Sequence, residues 1–96
     1  MNNLGKQGKI NVKANRELKK LYEATDIRSC EIQLEGCENT FAMSYAHRHK
    51  RRWYYPTPEK LWDFKQSVLA CNRCHQIIEQ DKDLTEEVFL RLRGTE

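Results

Sequence analysis

ACNRCHQIIE, residues 70–79, sets two cysteines, a histidine and a glutamate within ten positions. Cys71-x2-Cys74 has the tight spacing that lets two thiolates reach one ion. Cys30-x6-Cys37 supplies two more thiolates, and four soft sulfurs make a full tetrahedral set for zinc. Together the pairs would staple a loop near residue 30 to the start of a helix over roughly Asn72–Gln80. His75 is then surplus to the zinc. The alternative is a Cys3His site with one cysteine spare. Its adjacency to Cys74 opposes this, because closed sites space their ligands by two or more residues. On a helix Glu79 lies four residues beyond His75, on the same face. Such a pair gives two points of a second, open metal site, suited to magnesium, manganese, nickel or zinc. The plainer reading of Glu79 is a solvated helix carboxylate.

Ninety-six residues fit one small domain. A core of that size is limited, and a structural zinc would add directly to folding. With 39% hydrophobic and 32% charged residues, the chain reads as a soluble globular protein with a wet surface. It has no run of eighteen apolar residues and so no expected membrane span. The segment MNNLGKQGKINVK lacks the apolar core of a secretory signal. A cytoplasmic location is therefore expected. In that reducing compartment paired cysteines more often hold metal than form disulfides.

Net charge is +3, spread unevenly. Residues 1–29 carry a surplus of positive charge, residues 57–96 of negative charge, and no acid falls between Glu38 and Glu59. That window contains HRHKRRWYY, so the N-terminal half is the expected face for an acidic partner. Residues 1–14 read as a flexible basic arm. Asn15 would cap a helix to about Thr25, with Leu18, Leu21 and Tyr22 facing the core. Cys30–Cys37 reads as a loop closing at Gly36. TFAMSYA, residues 40–46, alternates Phe41, Met43 and Tyr45 and suits a strand. Thr57-Pro58 starts a short helix with Leu61, Trp62 and Phe64 turned inward. Ser67–Ala70 is an apolar link. Asp83 would cap a last helix, with Glu86 completing the box, Val88, Phe89 and Leu92 as its stripe, and Gly94 as its stop.

If the strand continues past Ala46, His47 and His49 share the face of Phe41, Met43 and Tyr45. Arg48 and Lys50 take the other face. Arg48, Lys50, Arg51 and Arg52 would keep a nearby imidazole neutral by like-charge repulsion. A neutral imidazole is what a general base or metal ligand needs. The same cations could clamp phosphates. Trp53, Tyr54 and Tyr55 could stack on bases, or pack in the core or at a hinge.

These segments resemble the HNH endonucleases, and most closely small phage and prophage members. The likeness rests on AHRHKRR (46–52) and LACNRCHQIIE (69–79) and covers roughly residues 28–80. It implies an α+β fold, a small zinc-stabilised ββα-metal finger flanked by N- and C-terminal helices, as one domain over 15–96. It implies a metal-dependent DNA endonuclease. His47 would be the general base on the attacking water, and His75, with Glu79, would hold the catalytic divalent metal. His49 is a further candidate as ligand, alternative base or phosphate contact. Gln66 stands where the family's middle asparagine lies and offers the same amide on a longer arm. Ala46 stands where many members carry an acidic metal ligand. The expected partner is DNA, with weak sequence readout or a targeting protein. Two other classes fit a zinc-stapled chain: a non-catalytic nucleic-acid-binding module, and a phage-type inhibitor of a host protein.

Overall fold

Two short runs make the sheet. β1, Ser44–His47, pairs antiparallel with β2, Ser67–Ala70, with Ser44 opposite Ala70 and His47 opposite Ser67. The expected strand over 40–46 is therefore shorter and shifted toward the histidine. Phe41 lies outside it and is exposed. β2 replaces the expected apolar link. All four of its residues are buried, so no period-two alternation marks it as a strand.

The computed structural model describes residues 6–96. Among these, three α-helices complete an α+β architecture: α1 Lys6–Ala24, α2 Asn72–Glu79 and α3 Lys82–Arg93. Short 3₁₀ turns at Arg51–Tyr54, Pro58–Trp62 and Phe64–Gln66 fill the connection between the strands. No helix of the described residues is long and apolar enough to cross a membrane.

α1 begins at Lys6, well before the expected cap at Asn15, so the expected basic arm is helical from that residue on. Residues 1–5 of that arm lie outside the described residues. The reason is docking. Ile10 and Ala14 extend the apolar stripe of Leu18, Leu21 and Tyr22 toward the N-terminus and pack on Tyr54, Leu61 and Trp62. Packing of this kind outweighs the weak helix preference of Gly8 and Asn11. Leu18 and Tyr22 close over Leu69 of β2.

A second core lies across the sheet. Ile32, Ala46, Val68, Ala70, Ile78, Val88 and Phe89 gather with Cys30, Cys71 and Cys74. Ala46 is thus buried among core residues, where many members of the resembled family carry an acidic ligand. Burying a side chain such as Phe89 contributes roughly 1.5–3 kcal/mol. The cap of α3 is Asp81, which accepts the N–H of Leu84 at 3.0 Å. It sits two residues before the expected Asp83, so the Glu86 capping box does not form. Gly94 does end α3, at φ 78°. Thr57 precedes a 3₁₀ turn rather than an α-helix, and its side chain makes no capping bond.

A buried ion pair ties the layers together. Arg93, on α3, donates to Glu31 at 2.8 Å, to the Tyr22 hydroxyl at 3.2 Å and to the carbonyls of Phe64 and Ser67. Its guanidinium lies 3.8 Å from the centre of the Phe64 ring. Glu31 also accepts the N–H of Leu69 at 2.8 Å, and the Tyr22 hydroxyl meets Ser67 Oγ at 2.8 Å. Charges so far from water persist only when their donors and acceptors are met, and here α1, β2, α3 and the loop after Cys30 supply the partners.

Candidate metal centre and cleft

The four cysteines converge. The Sγ atoms of Cys30, Cys37, Cys71 and Cys74 all lie within 4.8 Å of one another. Cys37 and Cys71 stand 3.9 Å apart. A tetrahedral zinc with sulfurs at about 2.3 Å needs sulfur–sulfur edges near 3.8 Å, so the set fits a zinc-sized ion. Backbone N–H groups point at the sulfurs: Glu38 and Cys74 donate to Cys71, and Asn39 to Cys37, each at 3.4 Å. Burial alone would raise the Cys71 thiol, but the Cys74 and Glu38 amides together with the Cys74 and Cys30 side chains bring it down to about 7, while burial pushes the Cys74 thiol up to about 12. Thiolate is the form that binds metal. Cys71 is also the N-cap of α2, so the centre and the helix start are one structure.

The loop between the first two cysteines turns at Gly36. Its φ is +79°, and a Cβ there would stand 2.4 Å from Arg73 Nε. Arg73 needs that approach to donate to the Glu35 carbonyl at 3.2 Å. Glycine is required twice over, for backbone hand and for space.

On the other side of α2, β1 and the segment after it form a cleft of about 1260 Å³ with α2, the start of α3 and the last residues of the chain. His47, His49, His75 and Glu79 all line it, with Lys50, Arg51 and Arg52 in its wall. His47 Nε2 lies 2.7 Å from the Leu61 carbonyl. A carbonyl only accepts, so the proton is on Nε2 and Nδ1 is the bare nitrogen. Burial lowers the His47 pKa below its ordinary value. The Leu61 bond opposes this, and the positive fields of Arg51 and His75 reinforce it. The shift runs toward the neutral ring, but burial is its main cause, and of the four neighbouring cations Arg51 contributes.

His75 Nδ1 meets Ser44 Oγ at 2.5 Å. Its Nε2 stands 3.8 Å from the exposed Glu79 carboxylate. The helical i, i+4 placement therefore brings the two side chains together, with Glu79 able to turn. Among the described residues, the four cysteines form the one group of three or more histidine, cysteine or acidic side chains gathered closely enough for a metal.

Other expected site residues sit differently. Gln66 is buried, and its Oε1 accepts from the Tyr54 hydroxyl at 2.9 Å. The amide thus holds Tyr54, while the Leu61 carbonyl holds His47. Tyr54 in turn accepts the His49 N–H at 3.1 Å and sets its ring edge-on to His47 at 5.5 Å. Burial pushes the Tyr54 phenol up to about 12. Arg48 does not stand out as a phosphate clamp. Its side chain is 8% exposed, donates to the Lys65 and Gly94 carbonyls at 3.2 and 2.5 Å, and lies over Phe89. Lys50, Arg51 and Arg52 are exposed, with Arg51 donating to Asn11 of α1 at 2.5 Å. His49 stacks on Trp53 at 4.1 Å and meets the Glu96 carboxylate. Trp53 also lies under Lys60. Tyr54 is core, and Tyr55 is exposed.

Comparison of the chain with protein-family models, curated proteins and solved structures gives no match. The site's own geometry therefore carries the functional reading. Ser44, the Leu61 carbonyl and Glu96 were not singled out from the sequence, and Tyr54, by sequence a stacking or packing residue, links Gln66 to the His49 backbone. Ser44 had no signal in the sequence, because the pairing that sets it opposite Ala70, one residue before the CxxCH run, depends on β2, which reads in sequence as an apolar link.

Proposed function

We propose that this protein is a metal-dependent DNA endonuclease with an HNH-type, ββα-metal finger site. One observation carries the reading: two imidazoles face the same cleft, His47 from a strand end and His75 from the helix that the cysteine cluster caps. The order β1, β2, α2 and the exposed cations Lys50, Arg51 and Arg52 are consistent with it.

His47 does the proton chemistry. Its bare Nδ1 takes a proton from the attacking water as the new O–P bond forms and the bond to the 3′ oxygen breaks. The leaving oxygen collects a proton from solvent, giving a 5′ phosphate and a 3′ hydroxyl. His75, with Glu79 turned inward, would hold a divalent metal that supplies charge stabilisation at the phosphoryl and leaving oxygens. Lys50, Arg51 and Arg52 hold flanking phosphates without reading bases. The cysteine centre, holding zinc, does no chemistry and fixes the direction of α2.

Nicking of supercoiled plasmid with magnesium, manganese or nickel tests the reading. The parent protein should nick, and His47→Ala should not, with its fold and DNA binding intact. A parent protein that binds plasmid but leaves it uncut with all three metals rules out the enzyme in favour of a binding module.

A further inference from the structure

Two of the three cleft histidines, His47 and His75, are held in the same way at opposite atoms. Leu61 ties His47 by Nε2. Ser44 ties His75 by Nδ1. A backbone carbonyl dictates where the His47 proton goes, whereas a hydroxyl can donate or accept. The role of Ser44 therefore turns on which state of His75 is used. A metal bound through Nε2 needs a lone pair there, so the neutral ring must carry its proton on Nδ1. Among the described residues that proton has one partner within hydrogen-bond reach, Ser44 Oγ. With the proton on Nε2 instead, Glu79 at 3.8 Å is too far for a hydrogen bond.

We propose that Ser44 is the positioning residue of the cleft. Its hydroxyl accepts the Nδ1–H of His75, fixes the ring angle and leaves Nε2 bare for a divalent cation. The inference rests on the nuclease reading for the use of that cation. It extends it to a residue outside the motifs, held in place by the β1–β2 register and not by α2. Ser44 sits at the first position of β1, paired with Ala70, and is partly buried. Outer partners of this kind orient a metal-binding imidazole and raise its basicity, and their loss typically weakens metal binding by 10–100-fold.

Two measurements on the zinc-loaded protein test this. The first is calorimetric titration with manganese or nickel. Ser44→Ala should weaken binding by about 10–100-fold while keeping the structural zinc and the melting temperature near the parent's. Ser44→Thr, which keeps a hydroxyl on the same carbon, should recover most of the loss. Equal affinity in the parent and Ser44→Ala overturns the proposal. The second is nitrogen-15 NMR of the His75 ring in the parent protein. Protonated Nδ1 with bare Nε2 supports the assignment, and the reverse tautomer overturns it. If the parent takes up no second metal, the nuclease reading fails, and the tautomer alone then decides the role of Ser44.

Discussion

Cys71, the N-cap of α2, and His75, in that helix's first turn, are four residues apart, yet they belong to regions built on opposite plans. On one side lie four sulfurs, three of them in buried residues, within 4.8 Å of one another and met by backbone N–H groups. On the other side lies an open cleft whose three imidazoles are each tied at one nitrogen, with an exposed carboxylate, Glu79, 3.8 Å from His75. The first region is complete in its ligands and closed. The second leaves nitrogens bare and room for a further molecule. A small chain with a limited core gains from this division. With metal bound, the closed centre would supply stability that the core cannot, leaving the open cleft free to keep polar groups unpaired. The dependence runs one way: the cleft needs α2 held, and α2 is capped by a sulfur of the centre.

The largest expected effect tests that dependence. Cys71→Ser removes a thiolate of the centre but keeps an oxygen that can cap α2, so its effect reports on the centre alone. Structural zinc sites contribute on the order of 10 kcal/mol, comparable with the whole stability of a domain, about 5–15 kcal/mol. The variant should lose zinc and its cooperative melting transition, read by metal analysis and circular dichroism. If it melts like the parent, the centre is not what holds the fold. Next comes the buried pair. Arg93→Met leaves Glu31 without its cation and should cost about 3–5 kcal/mol in urea unfolding, with zinc stoichiometry unchanged. A loss of zinc in that variant would show that the centre leans on the ion pair, and the division drawn above would fail. His47→Ala should reverse the pattern: nicking falls by about 10²–10⁴-fold, while zinc content and melting stay near the parent's. Gly36→Ala returns to the closed side. A left-handed residue with a Cβ costs about 1–2 kcal/mol, and Arg73 must also withdraw from the Glu35 carbonyl. The melting temperature should drop while nicking per folded molecule is kept.

The closed region was far more legible in the sequence than the open one. Thiolate spacing is a local pattern with few solutions, and all four cysteines meet as their spacing suggests. The α2 helix and the Gly94 stop were legible for the same reason. Placement in the cleft depends on contacts across the chain. Nothing in AHRHKRR reveals that Arg48 turns back onto the Gly94 and Lys65 carbonyls. Nor does Gln66 show that its amide goes to Tyr54, twelve residues away. The early start of α1 was hidden because Ile10 and Ala14 find their partners, Tyr54 and Leu61, some forty residues later. β2 was hidden because a strand covered on both faces has no alternation to read. Long-range packing decides each of these, and one sequence carries little trace of it.

The smallest expected effect is a pH dependence, and it separates the two regions. Burial lowers the His47 pKa in the folded protein below its unfolded value, near 6.5. Above about pH 6.5 the ring is neutral in both states and contributes nothing to the pH slope. As pH falls below that value, the unfolded chain takes up a proton that the folded one refuses, so stability drops until the folded ring also titrates. For the same reason the base stays active somewhat below pH 6.5, and the acid limb of nicking should lie there. The cysteine centre also weakens in acid, because protons compete with metal for thiolates. His47→Gln distinguishes the two sources. Its amide N–H can still donate to the Leu61 carbonyl, but it does not titrate. Comparing urea unfolding of parent and variant between pH 7.5 and 5.5 isolates the imidazole: the parent should lose stability more steeply than His47→Gln below about pH 6.5. Parallel profiles would place the whole acid sensitivity in the sulfur centre and leave His47 no more buried in effect than a surface histidine.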